Sequence, residues 1–191
     1  MGETLAANCV ESTVWLSAGR SDETRARAES HGMAEAQSLG ELVERCSTIV
    51  SICPPGAAID VATQVAGAGF EGIYVDANAI SPDTARSLAT MFDHYVDASV
   101  IGPPAHSAGT TRLYLSGVRA SEIKALYKDG VLDARIIDDS PSAASALKMA
   151  YASWTKIGSA LHMAIRAFAA AEGVDDALVS EWDLSQPGMT D

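Results

Sequence analysis

The chain has 191 residues, enough for one core and an appendage, and 13 Lys and Arg against 25 Asp and Glu give it a formal charge of -12. That balance offers no basic footprint to nucleic-acid phosphates. A content of 48% hydrophobic and 20% charged residues is that of a globular protein, and no run approaches the roughly 18 apolar residues of a membrane span. Neither nucleic acid nor membrane is an expected partner.

The opening "MGETLAAN" reads as the first turn of a helix packed closely against something behind it, with Gly2 at its start. No basic segment leads into an apolar run there, so the expected location is the cytoplasm. "TVWLS" at 13–17 is the first strand-like run, followed by Ser21 as N-cap, a helix through Ala28 and Gly32 as a stop. "STIVSIC" at 47–53 and "GIYVDA" at 72–77 are the next two strands. Between them, prolines open and glycines close a helix. "NAISPDTARSLATMF" starts another helix at Ser81 before Pro82. "HYVDASV", "TRLYLSG" and "ARIID" complete about six strands of one mixed or parallel sheet, with "ASEIKALYKDG" a helix before the last.

From Pro141 the strand rhythm stops, and apolar residues recur at helical spacing from Ala146 to Ala170. Thirty helical residues would reach about 45 Å, so part of this helix is expected to serve a second domain or a partner. The predicted division is 1–140 and 141–191. Acidic residues from Glu172 to Asp191 read as a solvated face. Cys9, Cys46 and Cys53 have no disulfide or metal spacing, and His31, His94, His106 and His162 have no ligand spacing, so no metal is expected. No internal repeat is read.

Five stretches in order resemble the β-hydroxyacid dehydrogenase superfamily over nearly the whole chain: "MGETLAANCVESTVWLSAGRSDETRARA", "VSICPPGAAIDVA", "YVDANAISPDTARSLA", "VDASVIGPPAHSAGTTRLYLSG" and "ASALKMAYASWTK". The closest subgroup is the 6-phosphogluconate-dehydrogenase-like proteins with a short helical C-terminal domain. The resemblance implies a Rossmann-like α/β NAD(P)-binding domain followed by a partial all-α domain. It implies that Gly2 is the third glycine of the dinucleotide fingerprint, which lets helix and strand approach closely. The expected first strand and first two glycines are missing, and both ends look cut short, as in an incomplete copy of a longer enzyme. Loss of about four buried aliphatic side chains would forfeit on the order of 6–12 kcal/mol, and would leave two strand edges open.

Arg20 and Ser21 fall where the adenosine ribose would lie. A forked cation there suits a 2′-phosphate, so NADP (NADPH) is the expected cofactor, with Thr24 and Arg25 assisting. A solvent-facing Arg20 and a merely capping Ser21 are the plain alternative. Cys53, Pro54 and Pro55 would line the nicotinamide side, and Asn78 would sit below its ribose or form an Asx-turn.

Lys148 is the expected catalytic residue. It shares a helix face with Ala144, Leu147, Tyr151, Ala152 and Thr155, where burial would ready it for proton transfer. Simple snorkelling is the alternative. Ile101, Gly102 and Pro103 stand in the substrate loop where the family has Ser-Gly-Gly, and Ala152 stands where it has Asn. These departures point away from an ordinary small β-hydroxyacid, with Ser99, Thr110 and Thr155 as replacement contacts. The resulting expectation is hydride transfer between nicotinamide and a hydroxyacid or related carbonyl, in a homodimer formed through the long helix. A non-catalytic nucleotide-binding or dimerisation module is the alternative that Ala152 and Ile101 favour.

Overall fold

The computed structural model describes residues 1–186 and 188, so Asp191, the last of the acidic run, lies outside the described residues. A short helix α1 (Gly2–Ala7) leads to β1 (Val14–Leu16), α2 (Asp22–Ser30), β2 (Ala34–Ala36) and α3 (Leu39–Arg45). There follow β3 (Thr48–Ser51), a 3-10 turn at Pro55–Ala57, α4 (Ala58–Gly67), β4 (Ile73–Asp76), α5 (Pro82–Ala89) and β5 (Tyr95–Ile101). Then come β6 (Arg112–Ser116), α6 (Ala120–Ala125), β7 (Asp133–Ile136), the long α7 (Ala143–Ala171) and α8 (Asp175–Ser185).

The expectation of one sheet of about six strands is corrected to seven strands in two sheets among the described residues. β1 and β2 form a parallel pair, and β3-β4-β5-β6-β7 form the second sheet, in which only the β5–β6 pairing is antiparallel. Among the described residues, β1 and β3 each have one edge without a strand partner. β2 escaped notice because "AEA" has no β-branched residue to signal a strand. α3, also unread, is nonetheless signalled: Ser38 Oγ accepts from the Glu41 amide, and Glu41 reaches back to the Gln37 amide. The caps that were read at Ser21 and Ser81 are made, each hydroxyl accepting from the amide three residues on.

The first compact unit runs Met1–Met149, so its limit falls inside α7. Alternation along its central strands sends side chains to two clusters. On one face Val75, Val96, Ala98, Leu113 and Leu115 meet α6 through Ile123 and α1 through Leu5. On the other, Ile49, Tyr74 and Tyr95 meet Ala62, Val65 and Leu88 of α4 and α5. Each such fully buried Leu or Val contributes about 1.5–3 kcal/mol. Gly2 permits the first of these contacts: a Cβ on it would stand 3.0 Å from Ile52 Cγ2, just past β3.

The second unit, Ala150–Asp191, comprises the remainder of α7 together with α8. Within it Trp182 is buried edge-on against the His162 ring at 4.9 Å, and Arg166 pairs with both carboxylate oxygens of Asp175. Among the described residues no helix is long and apolar enough to cross a membrane.

Asn8 ties the first unit together where α1 ends. Its buried amide donates to the Thr4 and Ala105 carbonyls and accepts from the Val131 and Leu132 amides. Asn8→Ala would strand these groups without water, so urea denaturation should show a loss of about 2–4 kcal/mol, against about 0.5 or less for an ordinary surface substitution.

Candidate active site

β3, β4 and β5 run parallel, so their carboxyl ends share one edge of the sheet. Cys53 and Pro54 follow the first, Asn78 the second, and Ser99 and Ile101 close the third. β5 continues about four residues, or roughly 13 Å, past the level at which Asp76 ends β4. Lys148, half-buried on α7, meets that extension: its Nζ donates to the Val100 carbonyl at 2.7 Å. The ammonium therefore stands at the carboxyl edge of the sheet.

Beneath this edge lies a feature that sequence reading missed. Ser51, Asp76, Asp97 and Ser116 occupy one row across β3, β4, β5 and β6, each the registered partner of the next, and all four are buried. Two carboxylates side by side in a sheet interior require donors, and each has its own. Asp76 accepts from the Asn78 amide at 3.0 Å and Nδ2 at 2.9 Å. Asp97 accepts from the Ser145 amide at 2.7 Å, the Ser145 hydroxyl at 2.6 Å and Ser116 Oγ at 3.4 Å. Burial pushes the Asp97 carboxyl up to about 6, against the Ser145 hydrogen bonds that favour its charged form, and Asp76 reinforces the rise. Burial also pushes Asp76 up, against its bonds from Asn78.

The signal for this row was present in the sequence: the tetrapeptide Tyr-Val-Asp-Ala occurs twice, at 74–77 and 95–98. Its two copies pair in register, Tyr74 with Tyr95, Val75 with Val96 and Asp76 with Asp97. The reading that the chain holds no repeat is corrected on this short scale.

Asn78 is more deeply engaged than expected. Besides its bonds to Asp76, its Oδ1 accepts from the Cys53 amide at 2.6 Å and its Nδ2 donates to Ser51 Oγ at 3.1 Å. The side chain thus fixes the turn after β3 to the end of β4. Burial pushes the Cys53 thiol up, while the positive charge of Arg20 acts against that rise, so Arg20 and Cys53 lie within electrostatic reach of each other. Pro54 and Pro55 are exposed at the start of the 3-10 turn.

Beyond β1, Ser21 Oγ accepts from the Thr24 amide and meets the Thr24 hydroxyl, which also accepts from Arg27. Arg25 is committed to Glu35 at 2.6 Å and lies over the Trp15 ring. Arg20 is exposed and has no carboxylate partner among the described residues.

At the end of β5, Ser99 is buried with its hydroxyl unpartnered, and Ile101 is buried. Gly102 adopts φ +126°, and a Cβ there would collide with the Thr110 carbonyl oxygen, so the loop closes through glycine alone. Pro103 is exposed, and its carbonyl accepts from the Thr111 hydroxyl at 2.6 Å. Thr110 spends its hydroxyl on the Ser107 carbonyl at 2.7 Å. Ala152 and Thr155 fall in the second unit, where the Thr155 hydroxyl bonds back to the Tyr151 and Ala152 carbonyls of its own helix.

An open α/β sheet with polar groups gathered at its carboxyl edge is a Rossmann-like architecture. No protein-family model matches the chain. It is 31% identical over 163 residues to an uncharacterized 28.5 kDa protein in the 7S RNA 5′ region of Methanothermus fervidus, covering 84% of this chain and spanning 63% of that relative's length. The conserved protein MTH1747, of unknown function and structurally similar to 3-hydroxyacid dehydrogenases, superposes with a TM-score of 0.80 at 28% identity, over 97% of this chain and 72% of its own. The Mycobacterium tuberculosis 3-hydroxyisobutyrate dehydrogenase, solved with L-serine, gives 0.71 at 18% identity, over 98% and 68%. Imine reductases from Myxococcus stipitatus, one solved with NADP+ and a variant with NAD+, give 0.68 and 0.67 at 17% and 19% identity, over 97% of this chain and 68% and 66% of their own. The chain thus has the Rossmann-like fold seen in 3-hydroxyacid dehydrogenases.

The sign of the pH dependence at Asp97 follows from its raised value. Between about pH 4, where the unfolded carboxyl titrates, and about pH 6, the folded protein holds the proton more tightly, so stability falls as pH rises through that window. Urea denaturation across pH 4–7 should show this fall, amounting to up to about 3 kcal/mol, and Asp97→Asn should flatten it.

Proposed function

We propose that the protein is a cytoplasmic NADP-dependent oxidoreductase of the β-hydroxyacid dehydrogenase type, interconverting a hydroxyacid or related carbonyl compound with Lys148 as the proton-handling group. The observation that carries this reading is the Lys148 ammonium held on the Val100 carbonyl at the carboxyl edge of the sheet. A lysine serving only as a snorkelling surface charge has no need of a strand carbonyl there.

The residues present fit a nicotinamide dinucleotide. Arg20, exposed and without a carboxylate, has its fork available for a 2′-phosphate. Gly2 keeps helix α1 close to the end of β3, and the Cys53 turn is locked by Asn78, which gives the ring side of such a site a rigid wall. When bound, the reduced cofactor would supply a hydride to the carbonyl carbon. Lys148 would meanwhile give the substrate oxygen the proton that completes the hydroxyl, and take it back in the opposite direction. Ser99, whose buried hydroxyl has no protein partner, supports a polar substrate contact beside it. Pro103 and Gly102 shape the loop, while Ile101, turned into the interior, offers no polar group.

The buried Ile101, with Ala152 in place of a polar residue, favours a second reading: a nucleotide-binding module without turnover. Fluorescence titration with NADPH and NADH separates the two. NADPH should bind at least tenfold more tightly than NADH, and Arg20→Ala should erase that preference, a loss of about 1.4 kcal/mol or more. A screen of hydroxyacids and carbonyls following NADPH absorbance should find a substrate whose turnover Lys148→Ala lowers by a factor of about 100 or more. Binding with no turnover on any substrate would support the module.

A second copy of the chain is proposed as the cover for the apolar stripe of α7. Trp154, Ile157, Leu161 and Phe168 recur at helical spacing and are 79%, 66%, 59% and 67% exposed. Sedimentation velocity should show a dimer, and Leu161→Glu should weaken it by at least about tenfold, since it drives a charge into the seam.

A further inference from the structure

We propose that Asp97 is a positioning residue for Lys148, acting as a cap supplied by the sheet to the first turn of α7. This inference rests on Lys148 being the proton-handling group. The first amides of a helix have no partner within it and need one from elsewhere. In α7 two of them are met by strand side chains: Ser116 Oγ on β6 accepts from the Ala144 amide at 3.0 Å, and the Asp97 carboxylate on β5 accepts from the Ser145 amide at 2.7 Å. A carboxylate at that end also suits the helix dipole.

Asp97 then takes a third grip through the Ser145 hydroxyl, and both residues are wholly buried. Three residues along β5 from Asp97 stands Val100, and three residues along α7 from Ser145 stands Lys148. The same strand and the same helix are therefore laced at two points, Asp97 to Ser145 and Val100 to Lys148.

The spacing explains the residue types. Along a strand three residues advance about 10 Å, and along a helix only about 4.5 Å, so the second tie needs a long side chain and the first a short one. With Asp97 fixing the rotation and height of the helix start, the lysine stem can deliver its ammonium to one place. Without the clamp the first turn frays, as helix ends do when uncapped, and the ammonium loses its fixed position.

Trace labelling of lysines with acetic anhydride, read by mass spectrometry on the full chain at one pH, tests this directly. Lys148 should react at least about fivefold more slowly than exposed Lys128, because its ammonium is held on a carbonyl. Ser145→Ala and Asp97→Asn should each raise the Lys148 rate about fivefold while Lys128 and the unfolding midpoint serve as controls, and Ser145→Thr, which keeps the hydroxyl, should restore it. Should Asp97→Asn fail to fold, Ser145→Ala, which adds no volume, carries the test.

A Lys148 rate in folded Ser145→Ala within twofold of the parent, or a parent rate equal to that of Lys128, overturns the clamp. Turnover of NADPH undiminished in Lys148→Ala would instead overturn the proton-handling role of Lys148. In that case the clamp would stand as a feature of the fold alone.

Discussion

Two carboxylates buried next to each other are the constraint around which this domain is organised. A sheet interior does not tolerate Asp76 and Asp97 unless each finds donors, and the donors are what connect the elements. Asp76 draws in Asn78 and through it the turn after β3. Asp97 draws in the start of α7. The polar row thus reaches from the turn proposed to face a cofactor to the helix that carries Lys148. It trades stability for placement, since an apolar row in the same register would cost nothing to bury.

The division of labour between the two aspartates follows from what stands beyond each strand. β4 stops at Asp76, and an Asx arrangement turns the chain immediately. β5 runs on to Ile101 because antiparallel β6 pairs with it from Asp97 to Ile101. That pairing keeps Val100 in a strand, so the carbonyl that receives the lysine belongs to a rigid element rather than a loop. Glycine at 102 then ends the strand where no side chain fits. Rigid supports of this kind hold a reacting group to within a fraction of an ångström.

Much of this was legible from residue patterns. The strands at 48–51, 73–76, 95–101 and 112–116 announced themselves through β-branched runs, and the caps at Ser21 and Ser81 through residue type alone. Lys148 was found because it is a cation on an otherwise apolar face. The ribbon strand β2 was not legible, because three small or charged residues carry no periodicity. The role of Asn78 was half legible: its place beyond the end of β4 could be read, but the Asx turn there is made by Asp76 and not by Asn78, whose hold on Cys53 is set by a partner 25 residues away. Asp97 was invisible for the same reason, since a capping residue 48 positions upstream of its helix leaves no spacing rule to read. Only the repeated Tyr-Val-Asp-Ala hinted that two acids would stand abreast.

The separation of β1 and β2 from the larger sheet has a thermodynamic corollary. A two-stranded ribbon is marginal by itself, and this one is joined to the body through side chains such as Val14, Leu16 and Ala36 against the cluster of Ile49 and Tyr74. Among the described residues no backbone ladder crosses from one sheet to the other. The ribbon and α2 therefore form a subunit of cooperativity that can open without melting β3 to β7, and amide protons of Trp15 and Leu16 would trade with solvent sooner than those of Val96 and Ala98. Arg20 follows β1 on that ribbon, so a ligand that bound it and the body together would couple its own occupancy to the order of the ribbon.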